Sequence, residues 1–241
     1  MKILAVVPFT GSKKLVEMTR DCIKQFRECD VPEGVSLHFI AVNNAASESL
    51  NLPLELVEEF HCEKNYGFGV GVNRAIDYWL IAERRPCTHV LVLNNDLQFP
   101  HRDWLTHLLR EVDPEFSMQV LTPCTDITAT PEAKDDGPRD IKPLRCGQVS
   151  AFCWLVPVRV IQAIDARFDF PLFHPMFTNY GSDDATAAIL RKLYGPTPFK
   201  VVPRSFVKHL KAQTANELGV KAGTKELLSN LKQWKSKNNL K

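Results

Sequence analysis

The chain of 241 residues holds no apolar run long enough to cross a bilayer. Its longest apolar stretch past the N-terminus, Ala151 to Val158, falls far short of the ~20 residues a spanning helix needs. The N-terminal run Ile3–Val7 stops at Pro8 with no small-residue cleavage site, which argues for a first strand over a secretion signal. C-x-x-C pairs are also missing. The seven cysteines (Cys22, Cys29, Cys62, Cys87, Cys124, Cys146, Cys153) stand apart, and the odd number leaves one unpaired. Several lie in apolar surroundings as small core residues, so a reducing cytosol is the expected compartment. Net charge is only +2, which excludes a strong polyanion binder on global grounds. The exception is local: from Lys221 onward six lysines face one acid, Glu226. No internal repeat is visible.

What is present fits one α/β domain. Hydrophobic content of 44% and charged content of 24% suffice for a sizeable core. Val90–Leu93 is apolar without alternation, as suits a strand buried on both faces, and it runs directly into Asn94-Asn95-Asp96. The C-terminal tips of such strands are where open α/β sheets place ligand chemistry, and a carboxylate there can hold a hard divalent cation. Further strands are expected at Ile3–Val7, Leu37–Val42, Gly147–Val158 and Phe199–Val202, with a short segment at Leu56–Glu63 ahead of the glycine-rich stretch. Helices are expected at Lys14–Glu28, Val72–Ala82, Trp104–Val112, Asp183–Leu193 and Glu226–Lys235. Strand–helix alternation at this spacing predicts a doubly wound parallel sheet. Residues 124–145 have no period and are rich in Pro, Asp, Thr and Lys, which predicts a long functional or mobile loop.

Three constellations carry possible chemistry. The stretch Asn65-Tyr66-Gly67-Phe68-Gly69-Val70-Gly71-Val72-Asn73 puts glycines at alternate positions before a helix. Such a turn lets backbone approach an anionic ligand, or serves helix–sheet packing alone. It is neither a Walker A loop nor a G-x-G-x-x-G fingerprint. Asp183-Asp184 follows Ser182 at a helix start. The pair reads as a general base, or as ordinary dipole partners with Ser182 as N-cap. His209 reads as a metal ligand or as a structural histidine. His38, His61, His89, His101, His107 and His174 read as structural.

Taken in order, these segments resemble family 2 glycosyltransferases of the GT-A fold. The pieces are Val7-Pro8-Phe9-Thr10, Val42-Asn43-Asn44-Ala45-Ala46-Ser47, Asn65–Asn73, Leu93-Asn94-Asn95-Asp96, Gly147–Val158 into Phe168-Asp169, Tyr180–Arg191, and His209 with Thr214. The resemblance implies a GT-A domain over residues 1–214, Rossmann-like, with a mostly parallel sheet flanked by helices. Residues 1–123 would form the nucleotide-sugar-binding half and 146–214 the acceptor and catalytic half. Between and after them would come a flexible loop, 124–145, and a basic C-terminal helix and tail, 215–241. Pro8, Phe9 and Thr10 would line the nucleoside pocket, and Asn43 replaces the family's usual aspartate. Asn65, Gly67, Asn73, Asn94 and Asn95 would contact the donor. Asp96, with His209, would hold Mn²⁺ or Mg²⁺.

Asp183, with Asp184 as its near equal, would take the proton from an acceptor hydroxyl in an inverting transfer. The loop 124–145, with Asp135, Asp136 and Arg139, would border the acceptor, and Trp154 and Phe173 read as stacking faces or as core. The acceptor is a saccharide (glycan or lipid-linked) or a nucleic acid, such as a hydroxymethylated base in phage-type DNA. The basic tail with Trp234 favours the second, and the setting would then be the host cytoplasm. A sugar-phosphate nucleotidyltransferase and a non-catalytic nucleotide-sugar-binding module of the same fold are the rival readings.

Overall fold

The computed structural model describes residues 1–113, 118–126, 142–147, 149–178, 181–210, 213, 217, 219 and 225–240. Most of the expected loop 124–145, with Asp135, Asp136 and Arg139, lies outside these residues, as do Tyr180 and Thr214. The strands are β1 (Lys2–Phe9), β2 (Ser36–Asn44), β3 (Glu58–Cys62), β4 (His89–Leu93), β5 (Leu97–Gln98), β6 (Val120–Cys124), β7 (Leu144–Cys146), β8 (Cys153–Pro157), β9 (Phe199–Phe206) and β10 (Lys208–His209). The helices are α1 (Lys13–Arg27), α2 (Phe68–Asp77), α3 (Trp104–Arg110), α4 (Val158–Phe168), α5 (Ser182–Tyr194) and α6 (Lys225–Lys237). Residues Tyr78–Ala82 continue α2 as a π-turn.

Eight strands form one sheet in the order β3-β2-β1-β4-β8-β6-β9-β7. Neighbours from β3 to β4 pair in parallel, as do β6 and β9. β8 runs antiparallel between β4 and β6, and β7 runs antiparallel to β9. The sheet is therefore mostly parallel, with a mixed second half. The expected strand Gly147–Val158 shrinks to Cys153–Pro157, because Val158 already begins α4. β2 runs to Asn44, so Asn43 and Asn44 belong to the strand tip rather than to a turn.

Burial explains why these elements form. β1 is buried from Ile3 to Phe9 and β4 from Val90 to Leu93, as strands sandwiched between helices must be. α1 buries Leu15, Val16, Thr19, Cys22, Ile23 and Phe26, one stripe at helical spacing. Beneath it Phe26 meets Phe39, Phe99 and Trp104 edge-on at 5.1, 5.5 and 5.9 Å between ring centroids. Each buried ring contributes roughly 1.5–3 kcal/mol, so this knot fixes α1 and α3 on the sheet. Among the described residues no helix is long and apolar enough to cross a membrane.

Candidate active site

The Asp96 corner begins where β4 runs out of ladder. The Asn94 N–H donates to the Phe152 carbonyl at 2.8 Å, and the chain then turns into β5. β5 pairs antiparallel with β10, placing Leu97 opposite His209, and the Leu210 N–H closes onto the Asp96 carbonyl at 3.0 Å. That two-residue ladder brings positions 96 and 209 together. His209 Nε2 lies 2.9 Å from Asp96 Oδ1 and 3.1 Å from Asn94 Nδ2, and its ring stacks on Phe152. Both side chains are secluded, at 3% exposure for Asp96 and 11% for His209.

The charge arrangement at this corner is incomplete. Asp96 Oδ1 and His209 Nδ1 are buried with no hydrogen-bond partner among the described residues. His209 Nε2 faces Asp96 Oδ1 at hydrogen-bond distance, but off the line of a hydrogen bond. As acceptor of the Asn94 N–H, Nε2 gives its one lone pair to that amide while facing the carboxylate, and an ion at this corner would take the lone pair in the amide's place. Two acceptors so placed repel each other, and a divalent cation satisfies both, so the residues fit a metal. No cluster of three or more His, Cys, Asp or Glu side chains that could hold a metal occurs among the described residues. Further ligands would come from phosphate and water. Asp126 steadies this corner, its Oδ1 accepting the His209 N–H at 3.3 Å and the Thr125 hydroxyl at 3.0 Å.

Asp183 occupies the first turn of α5. Gly181 is the N-cap, in a left-handed conformation, and Ser182 is the first helical residue without a capping side-chain bond. The expected Ser182 cap is thus corrected by one position: glycine takes the left-handed turn at no steric cost. Burial, and then the neighbouring Asp184 charge, raise the Asp183 carboxyl above the ordinary carboxylate range, while the Ala151, Asp184 and Asp183 N–H groups oppose the rise. The Asp184 N–H reaches Asp183 Oδ1 at 3.0 Å.

Ala151 and Phe152 join the two carboxylates. The Ala151 N–H lies near enough to Asp183 to favour its charged form, the Phe152 carbonyl takes the Asn94 N–H, and the Phe152 ring lies on His209. One dipeptide ahead of β8 thus touches both centres. The sequence marked it only as part of Gly147–Val158, an expected strand and one piece of the family resemblance.

The donor-side residues gather at the tips of β1 and β2, with less freedom than the sequence suggested. The Thr10 hydroxyl donates to the Asn44 carbonyl at 2.7 Å, and Phe9 is 2% exposed within the core. Asn43 Oδ1 accepts the Ala46 N–H, while its Nδ2 donates to Glu59 Oε1 at 2.8 Å. An aspartate at 43 would oppose two carboxylates there, so the asparagine is the partner Glu59 requires. Asn95 donates to the Thr19 hydroxyl at 3.1 Å. Asn65 accepts the Gly67 N–H at 2.8 Å and shapes the turn into α2. Asn44 donates to the Gly67 carbonyl at 3.0 Å, and its buried Oδ1 has no partner among the described residues.

The glycine stretch packs against protein. A Cβ at Gly67 (φ +82°) would fall on the Thr178 carbonyl; at Gly69 it would lie 2.8 Å from Phe173 Cβ and 3.2 Å from Ser182 Cβ; at Gly71, 2.7 Å from Asn44 Nδ2. Asn73 gives both ends of its amide to Phe173, donating to the carbonyl at 2.7 Å and accepting the N–H at 3.0 Å. The packing use of these glycines is the one the geometry displays, and Asn73 positions Phe173 with no amide atom to spare. Gly67→Ala is expected to destabilise by about 2–4 kcal/mol, strain and clash together. Gly195→Ala, with similar φ (+92°) and nothing within 4 Å of its Cβ, isolates the strain alone and should cost about half as much in thermal melts.

Trp154 and Phe173 are both fully buried, so they serve as core. Trp234 is 7% exposed and packs edge-on against His174 and Phe177, which withdraws it as a stacking face for nucleic acid.

No family model matches the chain, and no curated protein matches it. Solved structures do. The chain is similar to a mannosyltransferase, PcManGT from Pyrobaculum calidifontis, solved with GDP-Man and Mn²⁺ (TM-score 0.55, 13% identity over 86% of this chain and 56% of that one). It is similar to TarS 1-349 from S. aureus (0.59, 14%, 88% and 61%), and to glucosyl-3-phosphoglycerate synthase from Mycobacterium tuberculosis, solved with Mg²⁺ and UDP (0.54, 13%, 92% and 81%). At these identities the likeness is one of fold. The chain spans 56–61% of the length of the first two. A large mostly parallel sheet flanked by helices, in a single domain, is the GT-A architecture that they share with this chain.

Proposed function

We propose that the chain is a metal-dependent, inverting glycosyltransferase that moves a hexosyl or pentosyl group from a nucleotide sugar to an acceptor hydroxyl. The observation that carries this reading is the Ala151–Phe152 bridge, which sets a secluded Asp96–His209 pair and a raised-pKa Asp183 on two sides of one dipeptide. The fold neighbours solved with GDP-Man or UDP and a divalent ion support it.

Asp96 and His209 would hold Mn²⁺ or Mg²⁺, which when bound neutralises charge on the departing diphosphate. Thr10 and Asn44, at the tips of β1 and β2, would seat the nucleotide. Asp183 accepts the acceptor proton as the acceptor oxygen bonds the anomeric carbon and the carbon–phosphate-oxygen bond breaks on the opposite face. Burial keeps Asp183 a stronger base than a solvated carboxylate. With Trp234 packed away, a saccharide acceptor is the reading we adopt over nucleic acid.

A thermal-shift screen of nucleoside diphosphates and their sugars, with and without Mn²⁺, tests the proposal. A ligand at about a hundred times its Kd should add roughly 2.7 kcal/mol of stability, and should do so only with the ion. Pyrophosphate release from a nucleoside triphosphate would overturn it in favour of nucleotidyl transfer.

A further inference from the structure

The basic C-terminal segment does not serve the chemistry described above, yet it carries a patterned surface. α6 packs inward through Leu231 and Trp234, and Leu227 lies against Gly181, the cap of the helix that bears Asp183. Its outward side is organised. Lys225, Leu228, Lys232 and Lys235 recur at spacings of three, four and three residues, which places them on one helix face. Leu228 is 56% exposed, and Met176, two residues from the His174 that Trp234 packs on, is 59% exposed.

Beside this face lies a shallow, open depression of about 490 Å³, lined by Leu228, Leu231, Lys232, Lys235, Ser236 and Leu240. Its lining is three leucines beside two ammonium groups. The helix's single acid, Glu226, stands a third of a turn outside the lysine arc, so the face is positive throughout. Nucleic acid is a poor match, because no aromatic or arginine side chain lines the depression. Leu231 and Leu240 form its buried floor, so Leu228 is the aliphatic group the face offers, and an exposed leucine flanked by ammonium groups is complementary to an acyl chain under an anionic headgroup.

We propose that α6 docks the protein on an anionic lipid surface, with Lys225, Lys232 and Lys235 on the headgroups and Leu228 among the chains. Because Leu227 touches the cap of α5, docking holds the Asp183 end of the molecule near the bilayer. That placement suits a lipid-linked saccharide acceptor, and this last step rests on the glycosyl-transfer reading.

The test is co-sedimentation of the full chain with vesicles of pure phosphatidylcholine, and with vesicles carrying 30% phosphatidylglycerol. Binding is expected only to the second, falling with salt. Each of Lys225→Glu, Lys232→Glu and Lys235→Glu should weaken it by at least about fivefold and flatten the salt dependence. Leu228→Asp should weaken binding further than Leu228→Ser, with melting temperatures unchanged because the side chain is exposed. Absence of binding to the anionic vesicles, or binding indifferent to all four positions, overturns the proposal, as does tighter binding to duplex DNA that the same lysines control. Metal-dependent stabilisation by nucleoside diphosphates, measured on the same samples, reports on the transfer reading separately.

Discussion

Asp183→Asn is expected to cut transfer by about a hundredfold to ten-thousandfold while raising the melting temperature at neutral pH. The two effects share a cause. Burial and the adjacent Asp184 raise the Asp183 carboxyl, so the folded state holds its proton more tightly than the unfolded chain does. Such a group adds stability below its unfolded pKa and loses that contribution as pH rises through the folded one. At pH 7 the ionised carboxylate is therefore a burden on the fold, and the amide removes it. Melting curves from pH 4 to 8 should show the mutant's advantage growing from near zero toward neutrality. Transfer by the parent protein should fall as pH drops through the raised pKa, because the base must be ionised. Loss of transfer in Asp184→Asn with Asp183→Asn still active would reverse the assignment. A melting temperature lowered by Asp183→Asn would show that its contacts with the Ala151 and Asp184 N–H groups outweigh the cost of charge.

Asp96→Ala should abolish the Mn²⁺-dependent stabilisation by nucleoside diphosphates and reduce transfer by at least about a hundredfold. The carboxylate is almost wholly enclosed; its Oδ1 has no hydrogen bond in the fold, and its Oδ2 loses only a long one, from the Gln213 N–H at 3.4 Å. The main-chain bond from the Leu210 N–H to the Asp96 carbonyl survives the substitution, so β5 and β10 stay joined. The unliganded melting temperature should consequently change little. His209→Asn is expected to be milder, at about ten- to a hundredfold, since it removes one of two side-chain contacts to the ion. Calorimetry with Mn²⁺ and a nucleoside diphosphate checks both. Undiminished ion dependence in Asp96→Ala would end the metal assignment.

The parts of this molecule that local chemistry dictates were readable in advance. Val90–Leu93 could only be a buried strand, and the polar Asn94-Asn95-Asp96 had to sit at its tip. α1 declared itself by its helical pattern, and Asp183 stood at an expected helix start after Ser182. What escaped depends on partners distant in the chain. The direction of β8 is invisible in Cys153–Pro157, because a strand buried on both faces reads the same either way. β5 and β10 are two residues each, too short for any period, yet their pairing creates the Asp96–His209 contact. The stretch Gly67–Gly71 read either as a ligand turn or as packing, and only the fold shows that Thr178, Phe173, Ser182 and Asn44 stand where a Cβ at these glycines would go. α4 was hidden because Val158 looked like the end of a strand.

The interlock of residues 67–73 with Phe173, Thr178 and Ser182 has an evolutionary corollary. Gly67, Gly69 and Asn73 belong to the half expected to hold the donor, but each is fitted to backbone or side chains of the half expected to choose the acceptor. Exchanging residues on one side alone would break these fits. A chimaera that swaps in another enzyme's acceptor half at a junction after residue 123 inherits a mismatched seam, and folds only if the 67–73 segment travels with it. Acceptor preference in this architecture should then diversify through changes outside that seam.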